Sequence, residues 1–304
     1  MPGAYAHITA VNWAKSRARD GLSKESLYAL GKRFAFAELG CVSPDYPYLG
    51  PGQAFWADQM HYKNTANLLR SGVAGVKSLN GVAREKATSW LLGLACHMTA
   101  DMTIHPIVEK IVGPYELNKG AHRLCEMHQD TFIFSQLNLG DVGLTNHLAT
   151  GIGSCSTPRN SLALDPSIKA LWLQMLAASY SGTDQGDAPE PRPDLWHAGF
   201  CTVLKAVGTA TALFPFARHV AADNGLVYPA LQEVSKTYVK ALSTPEGVMD
   251  YGQVFDRAVE NIIQVWTGID KALSGSYTYL NALEDWNLDT GRSQATGKYV
   301  FWRN

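Results

Sequence analysis

At 304 residues, 46% hydrophobic and 17% charged, the sequence has the composition of a compact globule and is long enough to bury a sizeable core. Its net charge of −1, with no run of Lys or Arg, advertises no nucleic-acid surface and leaves only a local patch open. The five cysteines (Cys41, Cys96, Cys125, Cys155 and Cys201) are odd in number and form no CxxC pair, which argues against a disulfide framework or a thiolate zinc site. They read as small buried residues. The first residues lack a basic n-region and an apolar h-region, and no segment reaches the roughly eighteen apolar residues of a membrane span. The expectation is a protein that is cytoplasmic as synthesised, with export by a dedicated secretion machine left open.

In chain order, His7 is a lone imidazole among apolar neighbours and by itself reads as a core histidine. Leu27, Leu30, Phe34, Ala37 and Cys41 recur every three or four positions, predicting one amphipathic helix over 23–40 with Ser23 as N-cap and Gly40 as C-cap. Three prolines and two glycines within 41–52 make a stiff loop, in which Asp45 is held between Pro44 and Pro47. Residues 53–70 read as a second helix with His61 in its middle, followed by a Gly-containing connection over 72–81. A strong helix covers 84–104. Pro106 disfavours helical backbone at the residue before it, so His105 is expected to close that helix. Residues 121–137 form a fourth helix bearing His122, Glu126, His128 and Asp130.

Beyond it, 138–165 is rich in Gly, Ser and Asn and reads as a long loop, 167–180 as a helix, and 182–193 as an acidic, Pro-rich surface loop or lid. Helices are expected over 195–212 and 226–242. The clearest apolar stripe runs from Tyr251 to Leu273, a helix of more than twenty residues, and 277–286 reads as a short one. The tail from Gly291 carries no pattern. Period-two runs of β-branched residues are almost absent and nothing repeats. The expected fold is all-α, one helical domain over 1–304, with a metal site carried by 1–135 and 160–290 completing the bundle, covering the cleft or meeting a partner.

The chemistry concentrates in the first 126 residues. His97, Asp101 and His105 are spaced four and four and so make one stripe on a helix, and His122 and Glu126 repeat that spacing on the next helix. With His7, Asp45 and His61 they make five histidines and three carboxylates. Three carboxylates in a partly buried cleft repel one another unless cations neutralise them, and zinc accepts such N/O donors at about 2.0–2.2 Å. Eight side chains suit two or three ions, with Asp101 as the natural bridge. Clustered ions acidify water to a pKa near ~7 and clamp both oxygens of an in-line phosphoryl displacement, which points to phosphoester hydrolysis.

The order His7, Pro44-Asp45, His61, His97-x3-Asp101-x3-His105, His122-x3-Glu126 resembles the zinc-dependent phospholipase C family, whose superfamily includes the single-strand-specific zinc nucleases and to which the catalytic domain of GPI-specific phospholipase D is related. The resemblance covers about the first 135 residues. It implies a compact all-helical bundle with a trinuclear zinc cluster in a cleft. Asp45, His61, His97 and Asp101 would hold one zinc, and His105, His122 and Glu126 the second. His7, Asp101 and the chain's amino terminus would hold the third, and Asp45 is a candidate general base. In secreted members signal cleavage exposes that amino group; here, trimming of Met1 would present the amine of Pro2. The HxxxDxxxH spacing is tighter than in the secreted bacterial phospholipases, which leaves His128 as an alternative to His105. Asp58 and Asp130 lie near the set, Asp130 as a residue orienting a ligand, and Met98, Met102 and Met127 as core or cleft lining.

The expected activity is a zinc-dependent phosphodiesterase of the phospholipase C type, acting on phospholipid at a membrane surface, with Tyr46, Tyr48, Phe55 and Trp56 near the entrance of the cleft. Alternatives are a single-strand nuclease or phosphatase of the same superfamily, and a non-catalytic, metal-stabilised interaction or effector module. No stable nucleic-acid partner is expected, and the sequence names no protein partner.

Overall fold

The computed structural model describes residues 3–139, 148, 150–181, 188–207 and 228–303. Its described part is built almost entirely of helices: α1 (Ala4–Arg17), α2 (Lys24–Lys32), α3 (Phe34–Gly40), α4 (Ala54–Tyr62), α5 (Thr65–Lys77), α6 (Gly81–Val112), α7 (Lys119–Phe134), α8 (Pro166–Tyr180), α9 (Pro193–Val207), α10 (Lys236–Val239), α11 (Tyr251–Leu273) and α12 (Thr278–Ala282). The expectation of an all-α protein holds, with three small antiparallel hairpins as additions: β1 (Ser156–Thr157) with β2 (Asn160–Leu164), β3 (Leu242–Thr244) with β4 (Gly247–Met249), and β5 (Trp286–Asn287) with β6 (Arg292–Ser293). No helix among the described residues is long and apolar enough to cross a membrane.

Helix α6 is the axis of the molecule. Its residues from Ala87 to Val108 are buried, because α1, α2, α3, α5, α7, α8 and α11 pack around it. The approach of α3 is a backbone contact made possible by paired glycines. A Cβ on Gly40 would stand 2.1 Å from the Trp90 carbonyl oxygen, and one on Gly93 2.1 Å from that of Ala37. On the opposite side α11 presents the apolar stripe expected of it, and Trp266 Nε1 donates to the Leu92 carbonyl at 2.7 Å.

Several expected boundaries move, each for a local reason. The helix expected over 23–40 divides at Arg33 (φ −125°, ψ 34°), whose carbonyl accepts from Ser89 Oγ at 2.8 Å. Ser23 caps α2 as expected, accepting from the Ser26 amide, whereas Gly40 is the last residue of α3 rather than its cap. The helix expected over 53–70 divides at Asn64, which adopts left-handed backbone (φ 47°) while its Nδ2 donates to the Ser179 carbonyl. As a result α5 occupies much of the expected connection. The stiff loop is a 3-10 run over Ser43–Leu49, since prolines at 44 and 47 preset the φ that such a helix uses. The expected helix over 226–242 is not formed in its described part, which holds a 3-10 turn (Leu231–Glu233), the single turn α10 and strand β3. Parts of the loops over 138–165 and 182–193, and of the helix over 195–212, lie outside the described residues.

Pro106 does not end α6, so His105 does not close it. The helix continues to Val112. A proline withholds the amide that the carbonyl four residues back would use and disturbs the neighbouring one. Here the C-terminal segment covers both. Trp302 Nε1 donates to the Thr103 carbonyl at 2.8 Å, and Gly291 lies directly against the Met102 carbonyl and the Pro106 ring.

Candidate metal centre

The eight residues singled out in the sequence converge. Helix α1 supplies His7, the 3-10 run Asp45, α4 His61, α6 His97, Asp101 and His105, and α7 His122 and Glu126. None is more than 4% exposed. Their donor atoms fall into three sets, His7–His97–Asp101, Asp45–His61–His97 and His105–His122–Glu126, with the atoms of each set within 4.8 Å of one another.

Asp101 faces different partners with its two oxygens. Oδ1 is 3.3 Å from His7 Nε2; Oδ2 is 3.3 Å from His97 Nε2 and 3.8 Å from His61 Nε2. That is the disposition of a bridging carboxylate. His61 Nε2 also lies 3.5 Å from Asp45 Oδ1 and 3.5 Å from His97 Nε2, and the rings of His7 and His97 stack with centroids 4.0 Å apart. In the third set His122 Nε2 is 3.0 Å and His105 Nε2 3.8 Å from Glu126 Oε1.

Three of the imidazoles are oriented by backbone carbonyls. His61 Nδ1 donates to Ala57 at 2.7 Å, His97 Nδ1 to Cys41 at 2.9 Å, and His105 Nδ1 to Leu288 at 2.6 Å. A carbonyl only accepts, so each Nδ1 carries the proton and each Nε2 turns a lone pair toward the centre. Lone pairs and carboxylate oxygens then face each other at 3.3–3.8 Å. Those separations match donors around one tetrahedral ion, which stand about 3.4 Å apart when each bond is about 2.0–2.2 Å.

The electrostatics favour the same occupant. Burial, with His97 beside it, lowers His7 to about 4, and burial lowers His105 to about 4, so both are neutral, the form that ligates metal. Burial also pushes His97 down, but the carboxylates of Asp101 and Asp45 outweigh it and raise its pKa. Burial opposes ionisation of Asp101, yet the imidazoles of His97, His105 and His7 hold it well below the ordinary carboxylate range. Among the described residues neither Asp101 oxygen accepts a hydrogen bond. A buried, ionised carboxylate that turns both oxygens to imidazole nitrogens and accepts no hydrogen bond leaves its lone pairs for a cation. The residues present fit zinc.

Residues around this set behave less uniformly. His128 does not join it: its Nδ1 accepts from the Ser235 amide at 3.1 Å and its ring packs on Tyr238. Asp130 does not orient Glu126. Its Oδ1 accepts from the Ala6 amide and its Oδ2 from the Tyr228 hydroxyl, both at 2.9 Å, so it anchors the start of α1 beneath His7. Arg123 Nη1 is the cation beside Glu126, 4.0 Å from its Oε2. Met98, Met102 and Met127 are core residues. Of the aromatics expected at the entrance, Tyr46 is buried with its hydroxyl on His197, and Trp56 is buried with its Nε1 on the Pro189 carbonyl. Phe55 packs edge-on against Trp56. Tyr48 alone of the four stands beside the site, its ring 6.5 Å from that of His61 and its hydroxyl on Asp58 at 2.8 Å.

Three contributors escaped the sequence reading. Tyr115 meets His122 edge-on at 5.2 Å, Leu288 supplies the carbonyl on His105, and Asp289, held by the Tyr62 hydroxyl at 2.5 Å, lies 4.0 Å from His105 Nδ1. Tyr115 directly follows Gly113-Pro114, a turn-forming pair just after the end of α6, which could have marked it; a backbone carbonyl leaves no such mark. The amine of Pro2, expected beside His7 and Asp101, lies outside the described residues.

The model of the family described as zinc dependent phospholipase C matches residues 6–182, more than half of the chain and a stretch that contains all eight residues. The chain belongs to the zinc-dependent phospholipase C family. No curated protein and no solved structure gives a significant match. The part of the chain that orients His105 lies beyond the stretch that matches the phospholipase C family.

Proposed function

We propose that the protein is a zinc-dependent phosphodiester hydrolase that cleaves phospholipid headgroups. The observation that carries this reading is the convergence of Asp45, Asp101 and Glu126 with five buried histidines at spacings that suit shared ions, within a chain of the zinc-dependent phospholipase C family. Asp45, His61, His97 and Asp101 would hold one zinc, His105, His122 and Glu126 a second, and His7 with Asp101 would contribute to a third. Zinc bound there supplies Lewis acidity, acidifying water and offsetting charge on phosphoryl oxygens.

The protein's own groups do the rest. His61, His97 and His105 are held by carbonyls in the tautomer that turns Nε2 inward, so little reorganisation is needed at the moment of reaction. Asp101 joins two of the donor sets through its separate oxygens. Asp45, at 4% exposed the least buried of the three carboxylates, would take a proton from the attacking water at a carboxylate oxygen. Burial of the set excludes bulk water from the reacting phosphoryl group.

Phosphatidylcholine vesicles and single-stranded DNA offered side by side to the zinc-loaded protein test the proposal. Release of phosphorylated headgroup that stops on chelation supports it. Cleavage of DNA alone would move the assignment to a nuclease, and turnover of neither, with unfolding on chelation, would leave a metal-stabilised module.

A further inference from the structure

The orienting carbonyl of His105 differs from the other two in origin. His61 takes its acceptor from its own helix and His97 from the end of α3, both within the stretch that matches the family. His105 takes its acceptor from Leu288, in the C-terminal hairpin outside that stretch. We propose that Asn287 is a positioning residue for the metal centre, building the turn that presents the Leu288 peptide to ligands of two donor sets. This rests on the zinc-centre reading above.

Leu288 is fully buried and uses both of its backbone groups on the site. Its amide donates to the His61 carbonyl at 3.2 Å, and its carbonyl accepts from His105 Nδ1 at 2.6 Å. One residue thus ties the end of α4, which bears His61 of the Asp45–His61–His97 set, to a ring of the His105–His122–Glu126 set. Asn287 shapes the turn. Its Oδ1 accepts from the amides of Asp289 at 3.1 Å and Thr290 at 3.2 Å, an Asx turn, while its own carbonyl accepts from the Gly291 amide at 3.1 Å.

The turn is seated on α6 without slack. Gly291 has φ +66°, and a Cβ there would stand 2.3 Å from Pro106 Cγ and 2.5 Å from the Met102 carbonyl oxygen. Asp289, bonded to Tyr62, and Trp302, bonded to the Thr103 carbonyl, fix the segment on either side. Moving Leu288 therefore frees the His105 ring to rotate or to carry its proton on Nε2, where it would no longer offer a lone pair beside His122 and Glu126.

The test compares full-length wild type with Asn287→Ala and Asn287→Asp, titrating zinc against a competing chelator and counting ions per chain. Asn287→Ala should weaken one zinc equivalent by about 10–100-fold, the usual cost of losing an outer partner of a ligand, and leave the tightest one unchanged. Asn287→Asp, which keeps an acceptor for both amides, should restore wild-type affinity. Unchanged affinities in Asn287→Ala, or equal weakening of every ion together with a lower melting temperature of the zinc-free protein, would overturn the proposal. Wild type that binds no zinc would instead remove the reading on which it rests. A second measurement needs no substitution: ring 15N shifts of His105 should report a proton on Nδ1, and a proton on Nε2 in the wild type would defeat the inference.

Discussion

Replacing Asp130 with asparagine should convert a pH-dependent contact into a pH-independent one. Asp130 is fully buried, and burial raises its pKa from 3.8 to about 7 against the opposing pull of Arg123, the Tyr228 hydroxyl and the Ala6 amide. In the unfolded chain the same carboxyl titrates at its ordinary value. Between those limits the folded state keeps a proton that the unfolded state has released, so this group's contribution to stability falls as pH rises through that window. A rise from 3.8 to about 7 corresponds to about 4 kcal/mol at about 1.4 kcal/mol per pH unit. Asparagine keeps an oxygen for the Ala6 amide and never ionises. The stability of Asp130→Asn relative to wild type should therefore increase by up to about 4 kcal/mol between about pH 4 and about pH 8. Urea unfolding of the zinc-free protein, followed by tryptophan fluorescence across that range, measures it. A difference that stays constant, or grows toward low pH, refutes the assignment of a buried Asp130 that keeps its proton up to about pH 7.

Asp101→Asn should lower zinc affinity by more than the about 10–100-fold expected of an outer partner, and abolish hydrolysis, because the substitution takes the charge from a residue whose two oxygens face two donor sets. Metal counting beside an activity assay checks this. His105→Ala should cost one zinc equivalent and His128→Ala none, since His128 is engaged with Ser235 and Tyr238; the reverse pattern would reinstate His128 as a ligand. Gly291→Ala should destabilise the protein by about 1–3 kcal/mol, combining left-handed backbone with a Cβ driven into Pro106 and the Met102 carbonyl, and thermal melts would show it.

What could be read in the sequence follows from how local each signal is. The stripe His97–Asp101–His105 and the pair His122–Glu126 were legible because helical periodicity alone puts them on common faces, and the long amphipathic α11 was legible for the same reason. His7, Asp45 and His61 were individually weak and gained meaning only as members of a charge-balanced set. Helix breaks were read poorly where a distant partner decides them. Asn64 leaves helical backbone while bonded to Ser179, and Arg33 does so with its carbonyl on Ser89; Arg33 carries no local breaker signal, and a lone Asn is a weak one.

Pro106 shows how the two kinds of error are linked. A proline after His105 is a sound reason to end a helix when the chain is read locally. Here α6 continues past it, while Trp302, far away in sequence, donates to the Thr103 carbonyl and Gly291 packs against the Met102 carbonyl. The same C-terminal segment carries Leu288, whose carbonyl orients His105. The tail was patternless because its contribution is made by backbone groups and one indole rather than by a periodic face. The helix extension past Pro106 and the orientation of His105 thus meet at one segment, so loosening the segment at Gly291 should disturb both: lower helicity at the end of α6 and weaker retention of one zinc, measured on the same Gly291→Ala protein by amide exchange of 107–112 and by metal counting. Loss of zinc with unchanged exchange, or faster exchange with zinc fully retained, would separate the two effects and break that link.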